Sequence, residues 1–104
     1  MLLNIDLRLI KPAKRTEIYK KIEKEIYVIP CRVIEIGERI NGSAFEIIIE
    51  RLDFNNGKLI IHKAITWEKT LEIFERKNLF PPFLTECKFY FNESKNPNFV
   101  VIPV

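Results

Sequence analysis

Two short turn signals, each ending in glycine, constrain the fold of this chain more than any other feature. Asn41-Gly42 and Asn55-Asn56-Gly57 both lie between segments rich in β-branched residues. An Asn-Gly pair favours a two-residue hairpin turn, because both residues tolerate the positive φ angles that such a turn needs. The segments around them, residues 27–40, 43–53 and 58–65, are therefore predicted to form an antiparallel meander of three strands.

The first strand of this meander changes the phase of its apolar pattern. Ile29, Cys31 and Val33 share one parity, whereas Ile34 and Ile36 have the other. Side chains alternate between the two faces of a strand, so an extra residue is needed where the parity changes. We expect a β-bulge near Val33.

The N-terminal quarter of the chain combines two periodicities. Apolar and polar residues alternate in residues 1–10, which predicts a strand with one buried face. Residues 13–26 carry Ile18, Ile22 and Ile26 at helical spacing, which predicts an amphipathic helix. The solvent-exposed face of this predicted helix carries a secondary basic patch, which consists of Lys14, Arg15, Lys20, Lys21 and Lys24. Residues 1–26 are thus expected as an addition to the remainder of a single domain.

A second helix and two more strands follow the meander. Thr66 is expected to cap a helix that ends near Asn78, because Pro81-Pro82 cannot continue it. Its apolar stripe consists of Trp67, Leu71 and Phe74. Residues 85–92 and 99–104 then alternate as two further strands.

The order of elements from residue 27 onward resembles a known barrel. Three strands, a helix and two strands, with a long bulged first strand, look like the five-stranded OB barrel. Ile65-Thr66-Trp67-Glu68 and Thr85-Glu86-Cys87-Lys88-Phe89-Tyr90 are similar to the passage between the third and fourth strands of OB domains of the replication protein A type. The resemblance covers about three quarters of the chain. It implies that residues 27–104 form an OB-like barrel that binds single-stranded nucleic acid. With the N-terminal strand and helix added, the expected fold is mostly β (α+β) with two helices.

A duplicated arrangement of two β-α-β-β halves also fits this order. The halves would divide near Asn55, with Cys31-Arg32 corresponding to Cys87-Lys88 and Phe45 to Phe99. Such a duplication resembles the strand-helix-strand-strand modules of small-molecule-binding and gyrase-inhibitor-like proteins. It implies a small-molecule pocket between the halves, and it is the alternative to the barrel.

Charge and reactive side chains limit the classes of function. Lys and Arg number 17 against 14 acidic residues, so the net charge of +3 does not by itself indicate nucleic acid. Cys31, Cys87 and His62 fall on three different strands, without the short spacings of a structural zinc site, and both cysteines are expected in the core. The sequence contains no phosphate-binding glycine loop, and a Cys–His nucleophilic pair would have neither an orienting third group nor an oxyanion hole. We therefore expect a protein that is not an enzyme, with no metal and no cofactor.

Basic and aromatic residues on the later strands predict a surface for single-stranded nucleic acid. Such surfaces combine cations that follow the phosphates with rings that stack on the bases. Because Cys87, Phe89 and Phe91 are expected inside, Tyr90 is expected to point outward and stack. The predicted site consists of Arg32, His62, Lys88, Tyr90 and Lys95.

Two carboxylates oppose phosphate binding on the middle strand of the meander. Glu46 and Glu50 share its outer face. We expect them to form salt bridges across the hairpin with Lys58 or His62, since opposite charges on facing strands attract. Binding of nucleic acid is accordingly expected to be weak and to show little sequence preference.

A protein-interaction or inhibitor module, of the kind carried by mobile elements, is the competing class. It would use the strand edge of residues 1–10, or the basic helix, against a second copy of the chain or an acidic partner. The N-terminus lacks the basic segment and cleavage site of a signal peptide, and no apolar run reaches the length of a membrane span. We therefore expect a cytoplasmic protein without membrane contact.

Overall fold

The structure, a computed structural model, describes residues 20–23, 26–53, 55–91 and 97–104. In these ranges the strands are β1 (Lys20–Glu23), β2 (Ile26–Asn41), β3 (Ala44–Leu52), β4 (Leu59–Trp67), β5 (Phe83–Phe91) and β6 (Pro97–Ile102). One helix, α1 (Glu68–Arg76), connects β4 to β5. The predicted strand of residues 1–10 lies outside the described residues.

Both hairpins of the meander form, but the first turn is shifted by one residue. Asn41 pairs with Ala44, so the turn residues are Gly42 and Ser43 rather than Asn41 and Gly42. Of these two, Gly42 has a positive φ of 45° and Ser43 does not, which is the pattern of a type II′ turn. The antiparallel meander of β2, β3 and β4 is confirmed.

A register shift in β2 lies where the phase of the apolar pattern changes. Val33 pairs with Ile49 and Glu35 with Ile48, so Ile34 is the extra residue. The predicted bulge near Val33 is confirmed. A bulged strand bends, and β2 pairs with β5 before the bulge and mainly with β3 after it.

The pairing of the strands returns to the strand on which it begins. β2 pairs with β3, β3 with β4, β4 with β6, β6 with β5, and β5 again with β2. Every pair in this ring is antiparallel except β4 and β6, which are parallel. The fold is therefore mostly β, with one short helix in the described part of the chain. The proposed halves on either side of Asn55 do not form separate units, because β3 and β4 pair along their whole length.

Alternate side chains of the five ring strands form the core. The buried cluster consists of Ile29, Cys31, Val33, Ile47, Ile49, Ala64, Phe74, Phe83, Cys87, Phe89 and Val101. The prediction that both cysteines are core residues is confirmed, since each is fully buried as a free thiol.

Helix α1 contributes one aromatic ring to this core. Phe74 is buried, and its ring meets that of Phe83 edge-on with 4.9 Å between centroids. The helix ends at Arg76 and is followed by Asn78, which has a positive φ of 57°. The predicted end near Asn78 is thus confirmed to within two residues.

The start of α1 differs from the prediction that Thr66 caps it. The N-cap is Trp67, and it makes no side-chain capping hydrogen bond. Thr66 still belongs to β4, and its buried hydroxyl donates to the Val101 carbonyl at 3.0 Å. A partner on β6, which no local pattern reveals, therefore takes this hydroxyl away from the helix.

The helix predicted for residues 13–26 is wrong where the structure describes it. Residues 20–23 form β1, which pairs antiparallel with the start of β2, and Ile26 already belongs to β2. Isoleucines at four-residue spacing satisfy the period of a helix, but local preference is weak and backbone pairing with a neighbouring strand overrides it. Residues 13–19, 24 and 25 lie outside the described residues.

Candidate functional site

The outer surface of the meander presents aliphatic and charged side chains in rows. Cα partners on neighbouring strands share a face, so Arg32, Glu50 and Ile61 form one such row. Two isoleucines of this surface are widely open to solvent, Ile61 at 62% and Ile40 at 53%. The surface, named here the meander face, consists of Arg32, Glu35, Ile40, Glu46, Ile48, Glu50, Ile61, Lys63 and Ile65.

Charges on the meander face nearly cancel. Arg32 forms a salt bridge with Glu50, and Lys63 Nζ lies 3.6 Å from Glu46 Oε2. With Glu35, two cations stand against three carboxylates, a formal charge of −1. Lys63 is the more open cation, because 73% of its side chain is exposed against 29% for Arg32. A phosphate backbone therefore meets little positive potential here.

A groove of about 210 Å³ lies between β4 and β6 at the border of the meander face. In the described residues these strands are in register at Ile65 and Val100 alone, which leaves space beside the short pairing. The groove is lined by Ile40, Glu46, Lys63, Ala64, Ile65, Pro97, Asn98 and Phe99. Pockets for drug-sized ligands begin at about 300 Å³, so this groove admits a single ring system rather than a larger molecule.

Lys88 and Tyr90 lie on a different wall of the ring. They occupy the outer face of β5, which does not neighbour β3 or β4. Lys88 pairs with Val28 on one side and with Val100 on the other, and both valines are buried. Lys88 and Tyr90 are themselves half-buried. The structure thus brings these two predicted residues together, but on a partly covered wall.

The remaining predicted cations are not gathered beside Tyr90. Arg32 pairs with Leu84 of β5, and Leu84 lies four residues before Lys88. Four residues of a strand span about 13 Å. Lys20 and Lys21 lie in β1. Lys14, Arg15, Lys24 and Lys95 lie outside the described residues.

The carboxylates of β3 pair with cations other than the predicted Lys58 and His62. The observed salt bridges are Glu46 with Lys63 and Glu50 with Arg32. His62 is not an outward neighbour of either carboxylate, because its parity in β4 turns it toward the inside of the ring.

His62 belongs to a cluster of rings inside the strands. Its ring centroid lies 4.6 Å from that of Phe99, and the Arg51 guanidinium lies 4.3 Å from the same centroid. Arg51 Nε donates to His62 Nε2 at 2.8 Å. The imidazole proton is therefore on Nδ1, which donates to the Lys63 carbonyl at 2.8 Å. The stack continues from Phe99 through Phe89 to Tyr27.

The surroundings of His62 favour its neutral form. Burial lowers the pKa of the imidazole from its ordinary value, and the Arg51 guanidinium lowers it further. The hydrogen bond to the Lys63 carbonyl acts in the opposite direction and is outweighed. His62 is neutral, points into the ring of strands and is hydrogen-bonded at both nitrogens. It therefore contributes to packing inside the ring of strands.

The two cysteines lie on adjacent strands inside the ring. The hydrogen bond with the Cys87 side chain, together with burial, raises the pKa of the Cys31 thiol well above its ordinary value. Cys87 Sγ donates to the Lys88 carbonyl at 3.6 Å. A protonated, buried thiol is a poor nucleophile and a poor metal ligand. Among the described residues, no group of three or more His, Cys, Asp and Glu side chains is placed to hold a metal ion.

Ile40, Lys63 and Asn98 line the groove but were not predicted as site residues from the sequence. A signal for Lys63 was present, because residues 61, 63 and 65 share the parity opposite to the buried Ala64. No local pattern predicts that Asn98 approaches β4, since that approach depends on the parallel pairing of β6.

Comparison of the chain with protein-family models, with curated proteins and with solved structures found no match. Within the ranges that the structure describes, no helix is long and apolar enough to cross a membrane.

Proposed function

We propose that the ring of five strands is a barrel of the OB type and that the protein is a non-enzymatic binder of single-stranded nucleic acid. The order of the ring, the parallel pair β4 and β6, and the position of α1 between β4 and β5 support this proposal. OB barrels receive their ligands on the second and third strands, beside the loops that follow the first and fourth. The corresponding elements here are β3 and β4, with the turn after β2 and the connection after β5.

The observation that carries the proposal is the position of the groove. It lies on this same face, between the end of β2 and the start of β6. Proteins bind single strands by holding splayed bases against apolar or aromatic side chains and by contacting phosphates with cations. Ile40, Ile65 and Pro97 supply apolar walls for one base, and Lys63 supplies a cation beside it.

The charge of the meander face sets the expected strength and salt dependence of binding. Arg32 pairs with Glu50 and Lys63 with Glu46, but the Lys63 side chain is 73% exposed against 29% for Arg32, so Lys63 is the cation more open to a phosphate on this face. For single strands the logarithm of the affinity falls with the logarithm of salt by about 0.7 per phosphate neutralised. One or two contacts therefore predict a shallow slope of about −0.7 to −1.4.

Fluorescence anisotropy with a labelled 12-nucleotide single strand at two salt concentrations tests the proposal. We expect weak binding with the shallow slope, and weaker binding for Lys63→Ala. Lys69→Ala is the matched control, since Lys69 is an exposed lysine on α1. Absence of binding at the lower salt, or equal effects of the two substitutions, would overturn the proposal.

The same assay tests the surface on β5. Lys88 and Tyr90 are neighbours there, and a stacked tyrosine contributes about 1 to 3 kcal/mol per base. We expect Tyr90→Ala to have less effect than Lys63→Ala, because Tyr90 is half-buried and its neighbour Lys88 lies between two buried valines. A larger loss of affinity for Tyr90→Ala would instead place the bound nucleic acid on the outer face of β5.

A protein partner is the second candidate, favoured by the exposed isoleucines. Ile61 and Ile40 on the meander face are each more than half exposed, and a surface of aliphatic groups with cancelling charges is also suited to a protein partner. The simplest partner is a second copy of the chain. Light scattering after size exclusion would then give a dimer that Ile61→Asp converts to a monomer, whereas a monomer at high concentration would contradict this candidate.

A further inference from the structure

We propose that the groove beside β4 selects guanine among the bases of a single strand, with Glu46 and Lys63 contacting its Watson–Crick edge. This inference rests on the proposed function and adds a base preference to it. It differs from the expectation, drawn from the amino-acid sequence, that binding shows little preference for nucleotide sequence.

Glu46 and Lys63 place an acceptor and a donor side by side in the groove. Lys63 Nζ lies 3.6 Å from Glu46 Oε2, and both side chains line the groove. Guanine presents the matching edge, with the O6 acceptor next to the N1–H and N2–H₂ donors. A carboxylate accepts two parallel N–H groups through its two oxygens, and lysine is a common donor to O6.

The other bases use this pair less completely. Adenine and cytosine each offer one amino group beside a ring nitrogen acceptor, so one carboxylate oxygen remains without a base donor. Thymine and uracil offer a single N–H between two carbonyl oxygens, and the second carbonyl would face the carboxylate. Guanine is the base whose edge engages both oxygens of Glu46 and one N–H of Lys63, whose ammonium keeps two further N–H groups for a neighbouring phosphate.

The ion pair is open enough to be engaged by a ligand. The side chains of Lys63 and Glu46 are 73% and 36% exposed. Ion pairs with such exposure are weak, so the donors and acceptor of a base compete with the pair at little cost. The aliphatic walls of Ile40, Ile65 and Pro97 exclude water from one side of the bound ring.

Oligonucleotides that differ at one base distinguish this inference from the proposed function. The probes are a 12-nucleotide thymidine strand and the same strand with one central guanine, inosine or adenine. A good bidentate contact discriminates by about fivefold or more, so we expect the guanine strand to bind at least fivefold more tightly than the others. Inosine lacks only the N2 amino group, and it should lose most of this preference.

Substitution of the carboxylate completes the test. Glu46→Gln, which replaces one oxygen with an amide nitrogen, should bind the guanine and inosine strands with equal affinity. Glu75→Gln, an exposed glutamate on α1, is the control and should keep the preference. Equal affinity of the natural chain for guanine and inosine, or a preference that survives Glu46→Gln, would overturn the inference while leaving the proposed function intact. Failure of every strand to bind would overturn both.

Discussion

Replacing Phe74 by alanine tests whether α1 stabilises the ring of strands through one buried aromatic side chain. Phe74 is 2% exposed, and it packs edge-on against Phe83, which begins β5. Deleting a fully buried phenylalanine side chain costs about 3 to 5 kcal/mol, because both the transfer free energy and the cavity count. A domain of this length has a free energy of unfolding of about 5 to 15 kcal/mol. The variant should therefore lose a large fraction of its stability.

Urea denaturation, followed by far-ultraviolet circular dichroism and by the fluorescence of Trp67, measures this loss. With a slope of about 1.5 kcal/mol per molar urea, the midpoint should fall by about 2 to 3 M. Phe80→Ala removes the same atoms from a side chain that is 65% exposed, and it should change the stability by no more than about 0.5 kcal/mol. Equal costs for the two variants, or a cost below about 1 kcal/mol for Phe74→Ala, would refute the assignment of Phe74 to the core.

Two further predictions concern the half-buried side chain of His62 and the buried side chain of Thr66. The unfolded chain titrates His62 near pH 6.5, whereas the folded pKa is lower, so the unfolded state binds more protons as the pH falls through this value. The free energy of unfolding should therefore decrease below about pH 6.5 and level off below the folded pKa, and urea titrations from about pH 5 to 8 should show this decrease in the natural chain but not in His62→Gln. Thr66→Val removes the buried hydroxyl that donates to the Val101 carbonyl. Thermal unfolding should show that this variant loses about 1 to 3 kcal/mol of stability. Thr66→Ser keeps the donor and should lose less stability.

Features that change the alternation of apolar residues or need a glycine were predictable from the sequence, and features that depend on which backbone groups pair were not. The bulge after Val33 follows from a parity change within one strand, and the hairpin at Gly42 needs a positive φ angle that glycine supplies. The segment at residues 20–23 has helical spacing but pairs with β2, because a neighbouring strand satisfies its backbone groups. The exact turn also escaped prediction, since Asn41 pairs in the ladder instead of occupying the turn.

The candidate site was harder to predict than the fold because it depends on which carboxylate each cation pairs with and on how exposed each cation is. Alternation placed Arg32 on an outer face, but it could not show that Glu50 on the next strand would neutralise it. His62 was assigned to the ligand surface, although its position in β4 turns it inward toward Arg51 and Phe99. Lys63 became the notable cation only once its exposure and its contact with Glu46 were known.

The distribution of charge determines how the proposed binding of single-stranded nucleic acid should depend on salt and on the base. The chain carries +3 overall and the meander face −1, so the rest of the chain carries +4. A strand whose base enters the groove therefore meets one open cation there, Lys63, and most of its phosphates are not neutralised by that face. Under the proposed function, long-range attraction then contributes little to holding an oligonucleotide in the groove, so we expect the affinity there to come from contacts with the base itself. For this reason, removing a single amino group from the base should matter more than doubling the salt.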